Sequence, residues 1–189
     1  MVDTTSTRVT RRGLLAAFAA TAVVSAPVYA NASGFLRGGG DIRRIRMYSG
    51  RTGEKMDAVY WIEGNYIPEV MAEITHFMRD WRDNTSIAFD NRAVDIMAAA
   101  QQLLDVDEPY NLLSGFRSQR TNAILRARSR NVAQNSLHLR AQAADLRLRS
   151  RSVAQMARAA AALNAGGVGR YSGSNFVHMD CGVVRTWGA

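Results

Sequence analysis

A single cysteine, Cys181, excludes an intrachain disulfide and any cysteine-built zinc cluster. Histidine is almost as scarce: with only His76, His138 and His178 to draw on, a metal site must combine histidines with carboxylates. Glutamate stops at Glu108, so every later carboxylate side chain is an aspartate, and Lys55 is the sole lysine among 24 Lys+Arg. The basic surface is therefore built from arginine. What is present is ordinary globular material, 47% hydrophobic and 21% charged over 189 residues, enough for one cored domain of about 150 residues. That composition excludes a disordered or collagen-like chain, and the formal charge of +8 gives a basic protein without naming its partner.

The first thirty residues read as a leader rather than as part of that domain. Arg8, Arg11 and Arg12 precede an uncharged run from Leu14 to Ala26, which is shorter than the roughly 20 residues of a membrane span. Val28-Tyr29-Ala30 then offers the small residues of a signal-peptidase site, so cleavage is expected after Ala30. Arg11-Arg12 followed by Gly13-Leu14-Leu15 is similar to a twin-arginine export signal. Removal of residues 1–30 takes away three arginines and one aspartate and leaves 21 cations against 15 anions, a net +6. A periplasmic or otherwise exported basic domain is the expectation.

After a flexible start over 31–41, the pattern predicts an α+β domain over 42–189, with a small antiparallel sheet and flanking helices. Two strands, 42–48 and 56–61, flank a Gly-containing turn. Val70, Ile74, Phe77, Met78 and Trp81 recur at helical spacing behind Pro68, which predicts a helix over 69–81. Further helices are expected over 91–104, 121–128 and 152–163, the last stopped by Asn164 and Gly166-Gly167. Leu112 and Leu113 lead a strand into Ser114-Gly115-Phe116-Arg117, and two strands around 176–180 and 183–187 finish the chain.

Chemistry concentrates between Asn135 and Arg147. Ala143, Asp145 and Arg147 alternate with Ala144, Leu146 and Leu148 as on a half-buried strand, and His138 can meet Asp145 only from a loop feeding that strand. An imidazole and a carboxylate brought together with a third ligand make an open tetrahedral zinc site. Strand alternation over 176–180 puts Phe176, His178 and Asp180 on one face and Val177 and Met179 on the other. Either His138 or His178 alone could be a core histidine. His76 falls on an ordinary helix and reads as structural or exposed, and Cys181 as a small buried residue.

In order along the chain, Ser114-Gly-Phe-Arg-Ser118, Thr121-Asn122, the string from Ser136 to Arg147 containing S-x-H and A-x-D-x-R, and Phe176-Val-His-Met-Asp-Cys-Gly-Val-Val-Arg-Thr-Trp187 resemble the zinc peptidases of the D-Ala-D-Ala metallopeptidase and hedgehog fold, in their murein endopeptidase branch. The resemblance covers about the C-terminal half. It implies one Zn2+ per chain on His138, Asp145 and His178, a peptidoglycan peptide as substrate, a role in cell-wall remodelling, and contact with the membrane only during export. It also implies that Arg117 faces the substrate or the developing oxyanion, with Ser114, Ser136 and Arg147 supporting the metal or the substrate. The family often draws its base from a Glu two or three residues before the last histidine, where this chain has Asn175 and Phe176. Asp180 is the nearby carboxylate left to deprotonate a metal-activated water, or else to orient a ligand histidine through its second nitrogen. The family's usual glycine three residues after the first histidine is Ala141 here, and a positive φ there would cost roughly 1 kcal/mol of strain. The competing reading is a non-catalytic wall- or polyanion-binding relative using Arg120, Arg126, Arg128, Arg130, Arg140, Arg147, Arg149, Arg151 and Arg158. Export argues against nucleic acid as its partner.

Overall fold

The structure, a computed structural model, describes residues 42–129 and 132–188. The expected leader and the flexible segment over 31–41 lie outside them, as does Arg130. Among the described residues, eight strands form one sheet: β1 (Ile42–Tyr48), β2 (Lys55–Ile62), β3 (Asn65–Tyr66), β4 (Tyr110–Ser114), β5 (Ala143–Arg147), β6 (Gly167–Tyr171), β7 (Phe176–Asp180) and β8 (Arg185–Gly188), in the order β3-β2-β1-β4-β5-β7-β6-β8. The helices among the described residues are α1 (Pro68–Phe77), α2 (Asn91–Leu103), α3 (Gln119–Arg128) and α4 (Val153–Ala162), with a 3-10 turn over Leu137–Arg140. The α+β expectation holds, but the sheet is neither small nor wholly antiparallel. β1 and β4 pair in parallel, as do β6 and β8.

Local chemistry sets the helix ends. Pro68 opens α1, where its missing N–H costs nothing. The Asp90 carboxylate caps α2 by accepting from Arg92 N, and Ser152 with Gln155 makes a capping box on α4. α1 packs on β2, α2 on β1 and β7, and α4 on β6 and β7. Ile45, Met47, Tyr110, Leu146, Val177 and Met179 project to the core that these helices cover, each almost wholly buried. Each such Leu, Met or Val is worth roughly 1.5–3 kcal/mol of burial. The opposite face of the sheet is left for the site.

Three expectations are corrected. The first helix ends at Phe77, not Trp81, because Met78 O accepts from Phe116 N and the buried Asp80 carboxylate accepts from Arg82 N and Ser118 N, turning the chain. β3 and β6 were not expected, the first because it is two residues long and the second because it begins at Gly167, which reads as part of a helix stop. The last strand starts at Arg185 rather than Val183, which is exposed.

Candidate metal centre

Register gathers the candidate residues. β5 and β7 pair antiparallel with Asp145 opposite His178 and Ala143 opposite Asp180, so Asp145, His178 and Asp180 share the face away from the helices. β4 brings Ser114 opposite Asp145 across a bulge, and the strand then runs into Gly115-Phe116-Arg117. His138 enters from the 3-10 turn directly before β5, the approach its seven-residue separation from Asp145 requires.

That turn closes through Ala141, whose φ of 53° and ψ of 38° are left-handed. Its N–H donates to His138 O, its carbonyl accepts from Asp90 N at 2.9 Å, and its methyl is fully buried. A glycine is the easy occupant of such a position. Here an alanine takes it and the turn still delivers His138 to Asp145.

Three ligand-type atoms meet. His138 Nε2 lies 3.2 Å from Asp145 Oδ1 and 3.2 Å from His178 Nδ1, and the last two are 3.0 Å apart. Each atom's opposite end is pinned. His138 Nδ1 is 2.6 Å from Gly115 O, and since a carbonyl only accepts, Nδ1 carries the proton and Nε2 the lone pair. His178 Nε2 donates to Asp180 Oδ2 at 2.9 Å, which leaves its Nδ1 lone pair facing the other two. Asp145 Oδ2 accepts from Arg117 Nη2, so Oδ1 is the oxygen left over. Two nitrogen lone pairs and a carboxylate oxygen aimed at one point repel unless a cation lies among them. A tetrahedral zinc shell with bonds of 2.0–2.1 Å has ligand–ligand edges of about 3.3–3.4 Å, so the donor set fits the ion in type, number and spacing.

The protein's own charges respond accordingly. Burial holds the pKa of His138 below its ordinary value, outweighing the pull of Asp145. Burial also disfavours the His178 cation, but hydrogen bonds to Asp145 and Asp180 outweigh it and raise that pKa. Against the cost of burial, His138, His178 and Arg117 keep the Asp145 carboxyl well below the carboxylate range, and His178 with Arg185 does the same for Asp180.

The remaining expected residues fall in distinct places. Arg117, 9% exposed, lies against Asp145 and donates from Nε to Ser114 Oγ at 2.7 Å, so Ser114 supports the arginine. Asp180, 1% exposed, sits behind His178. Its oxygens accept from Gly167 N at 3.1 Å, Gly182 N at 2.9 Å and the Arg185 guanidinium at 3.1 and 2.7 Å. That position suits orienting the histidine, the second of the two roles expected for Asp180, and the residues lining the cleft over the three donor atoms do not include it. Ser136 precedes the 3-10 turn and lines the cleft. Arg147 shares the face of Asp145 but lies one pleat away, opposite Asn111 and outside the cleft lining. His76 is exposed on α1, 3.9 Å from Glu54. Cys181 is buried, and burial first, then Asp90, pushes its thiol up to about 12.

The cleft over the donor atoms encloses about 440 Å³. Arg117, Ser136, Tyr171, Phe176, Arg185 and Trp187 line it together with the donor residues. Sequence reasoning gave no role to Arg185 or Trp187. The signal was Gly167-x-Gly169, two glycines on one face of a strand, clearing space for larger neighbours.

A sequence profile of the family described as peptidoglycan L,D-endopeptidase MepK matches residues 37–187. The chain belongs to this family. It is 42% identical over 136 residues to peptidoglycan L,D-endopeptidase MepK of Escherichia coli K12, covering 72% of this chain and 75% of that one. It is 34% identical over 137 residues to a probable peptidoglycan L,D-endopeptidase MepK of Haemophilus influenzae, covering 72% and 74%. The family match spans β1 to β8 and so includes all three donor residues together with Arg117, Asp180 and Trp187.

Proposed function

We propose that this protein is an exported, zinc-dependent peptidase that hydrolyses peptide bonds in peptidoglycan, with an L,D bond as the target suggested by its relatives. The observation that carries the reading is the convergence of His138 Nε2, Asp145 Oδ1 and His178 Nδ1, each pinned from behind, at the floor of a cleft. A zinc ion held there by His138, Asp145 and His178 would supply Lewis acidity toward a peptide carbonyl and would lower the pKa of water to about 7. Gly115 O and Asp180 fix the tautomers of the two histidines, and Arg117 turns Asp145 Oδ1 toward them. Arg117 is also the cleft-lining cation in direct contact with a donor residue, placed to stabilise charge growing on a substrate oxygen. Arg117 and Arg185 give the cleft a positive wall suited to the free carboxylates of wall peptides.

One observation favours a second reading, a wall-binding relative without catalysis. Among the described residues that line the cleft, Asp145 is the only carboxylate, and it belongs to the donor set. The test is incubation of the purified protein with isolated sacculi, with zinc and with a chelator, followed by mass analysis of soluble fragments. Release that requires zinc supports the peptidase. Retention on sacculi with no release by zinc-loaded protein assigns the binding role instead. Export is tested separately: protein recovered from the envelope should begin at Asn31.

A further inference from the structure

Beyond the donor residues themselves, the last strand reaches across its neighbour to hold one of them. β8 pairs in parallel with β6, with Arg185 beside Gly167 and Trp187 beside Gly169, and β6 pairs with β7 so that Gly167 lies opposite Asp180 and Gly169 opposite His178. The side chains of β8 therefore have to cross β6 to touch β7, and the two glycines are what lets them. A Cβ on Gly169 would stand 2.6 Å from two Trp187 ring carbons, and one on Gly167 would collide with the Arg185 guanidinium and with Asp180 Oδ2. Through that trough Arg185 binds both oxygens of Asp180, at 3.1 and 2.7 Å. Trp187 brings its ring to 5.3 Å from the His178 ring, stacks with Arg185 at 4.7 Å and is tied at its far end by Nε1–H donating to Tyr171 Oη at 3.0 Å.

We propose that Arg185 and Trp187 are positioning residues for His178, with Gly167 and Gly169 as the clearance that admits them. Arg185 binds both oxygens of Asp180 and so holds the carboxylate in one orientation, presenting an acceptor to His178 Nε2–H and leaving the lone pair on Nδ1. Trp187 blocks the ring from tilting away from Asp145. A guanidinium is suited to this because it spans both carboxylate oxygens, whereas an ammonium is a point charge. The proposal rests on the metal-binding reading of the site.

The experiment measures Zn2+ affinity of the full chain by chelator competition and the visible bands of the Co2+-loaded protein, which report donor geometry without reference to turnover. Circular dichroism and a melt of the metal-free protein accompany each variant. Arg185→Ala should weaken Zn2+ binding by about 10–100-fold and shift the Co2+ bands, with Arg185→Lys recovering part of the loss. Gly169→Ala should act in the same direction by displacing Trp187, and should add nothing in a Trp187→Ala background, because the ring it displaces is gone. Zn2+ affinity within twofold of the parent and unchanged Co2+ bands for both Arg185→Ala and Gly169→Ala overturn the proposal, whatever happens to the melting temperature. Should Arg185→Ala not fold, Arg185→Lys and Gly169→Ala carry the same test. A parent protein that takes up neither Zn2+ nor Co2+ overturns the metal reading, and this proposal with it.

Discussion

Ala141 invites the simplest engineering step, replacement by glycine, and the structure says it gains little. The left-handed backbone costs an L-residue roughly 1–2 kcal/mol, which glycine would recover. Against that, the Ala141 methyl is fully buried, and deleting it forfeits about 0.8 kcal/mol of transfer energy with a small cavity term besides. Glycine also loses about 0.4–1 kcal/mol more chain entropy on folding. The terms nearly cancel, so Ala141→Gly should change unfolding free energy by less than about 1 kcal/mol and Zn2+ affinity by no more than a few-fold. Ala141→Val is the contrast, because a β-branched side chain at a positive φ has neither the backbone freedom nor the room, and it should cost several times as much. Urea unfolding of the metal-free protein, paired with chelator competition, reads both quantities. Stabilisation by Ala141→Gly of about 2 kcal/mol or more, or a tenfold gain in Zn2+ affinity, would refute the reasoning by showing that strain at this turn is not offset by burial of the methyl.

Asp180→Asn should weaken Zn2+ binding by about 10–100-fold, because an amide nitrogen turned toward His178 Nε2 drives the proton to Nδ1, the atom that faces the donor set. Full zinc retention with lost turnover would instead return Asp180 to the role of base. Arg117→Ala leaves the buried Asp145 carboxylate without its cation and should destabilise the metal-free protein by about 3–5 kcal/mol in urea, with added Zn2+ restoring part of it. An effect below about 1 kcal/mol would show that the pair contributes little. The raised pKa of His178 sets opposite pH trends. In metal-free protein its stabilisation is complete below the ordinary histidine value of about 6.5 and is lost as pH rises through the higher folded value. Zinc must displace that proton, so the gain in melting temperature on adding Zn2+ should be larger at pH 8 than at pH 6. Equal or reversed gains count against His178 as a donor.

The sequence carried the site better than the sheet. His138 and His178 could be picked out because histidine is scarce, and Asp145 and His178 because they sit on strand-alternating segments, where the sequence shows which side each residue takes. Pairing partners do not show in that way. β1 and β4 lie far apart in the chain, β6 and β8 skip the strand between them, and nothing local marks either parallel pairing. β6 hid behind Gly167 and Gly169, whose small size serves Arg185 and Trp187 rather than the strand they occupy. The role of Asp180 turned on which nitrogen of His178 it meets, a matter of side-chain rotation that alternation leaves open. Helix α1 was overextended because Phe77, Met78 and Trp81 keep helical spacing after the backbone has turned to meet Phe116.

The direct opposition of Asp145 and His178 across β5 and β7 makes an ion between them a check on folding itself. A slip of one residue in that pairing would send one of the two side chains to the helix-covered side, and no cation could then be shared. Ion uptake at the proposed site would thus discriminate between chains that have paired these strands correctly and chains that have paired them one step out, favouring the former by mass action. A metal bound at the proposed site would act as a proofreader of strand alignment before taking part in any chemistry.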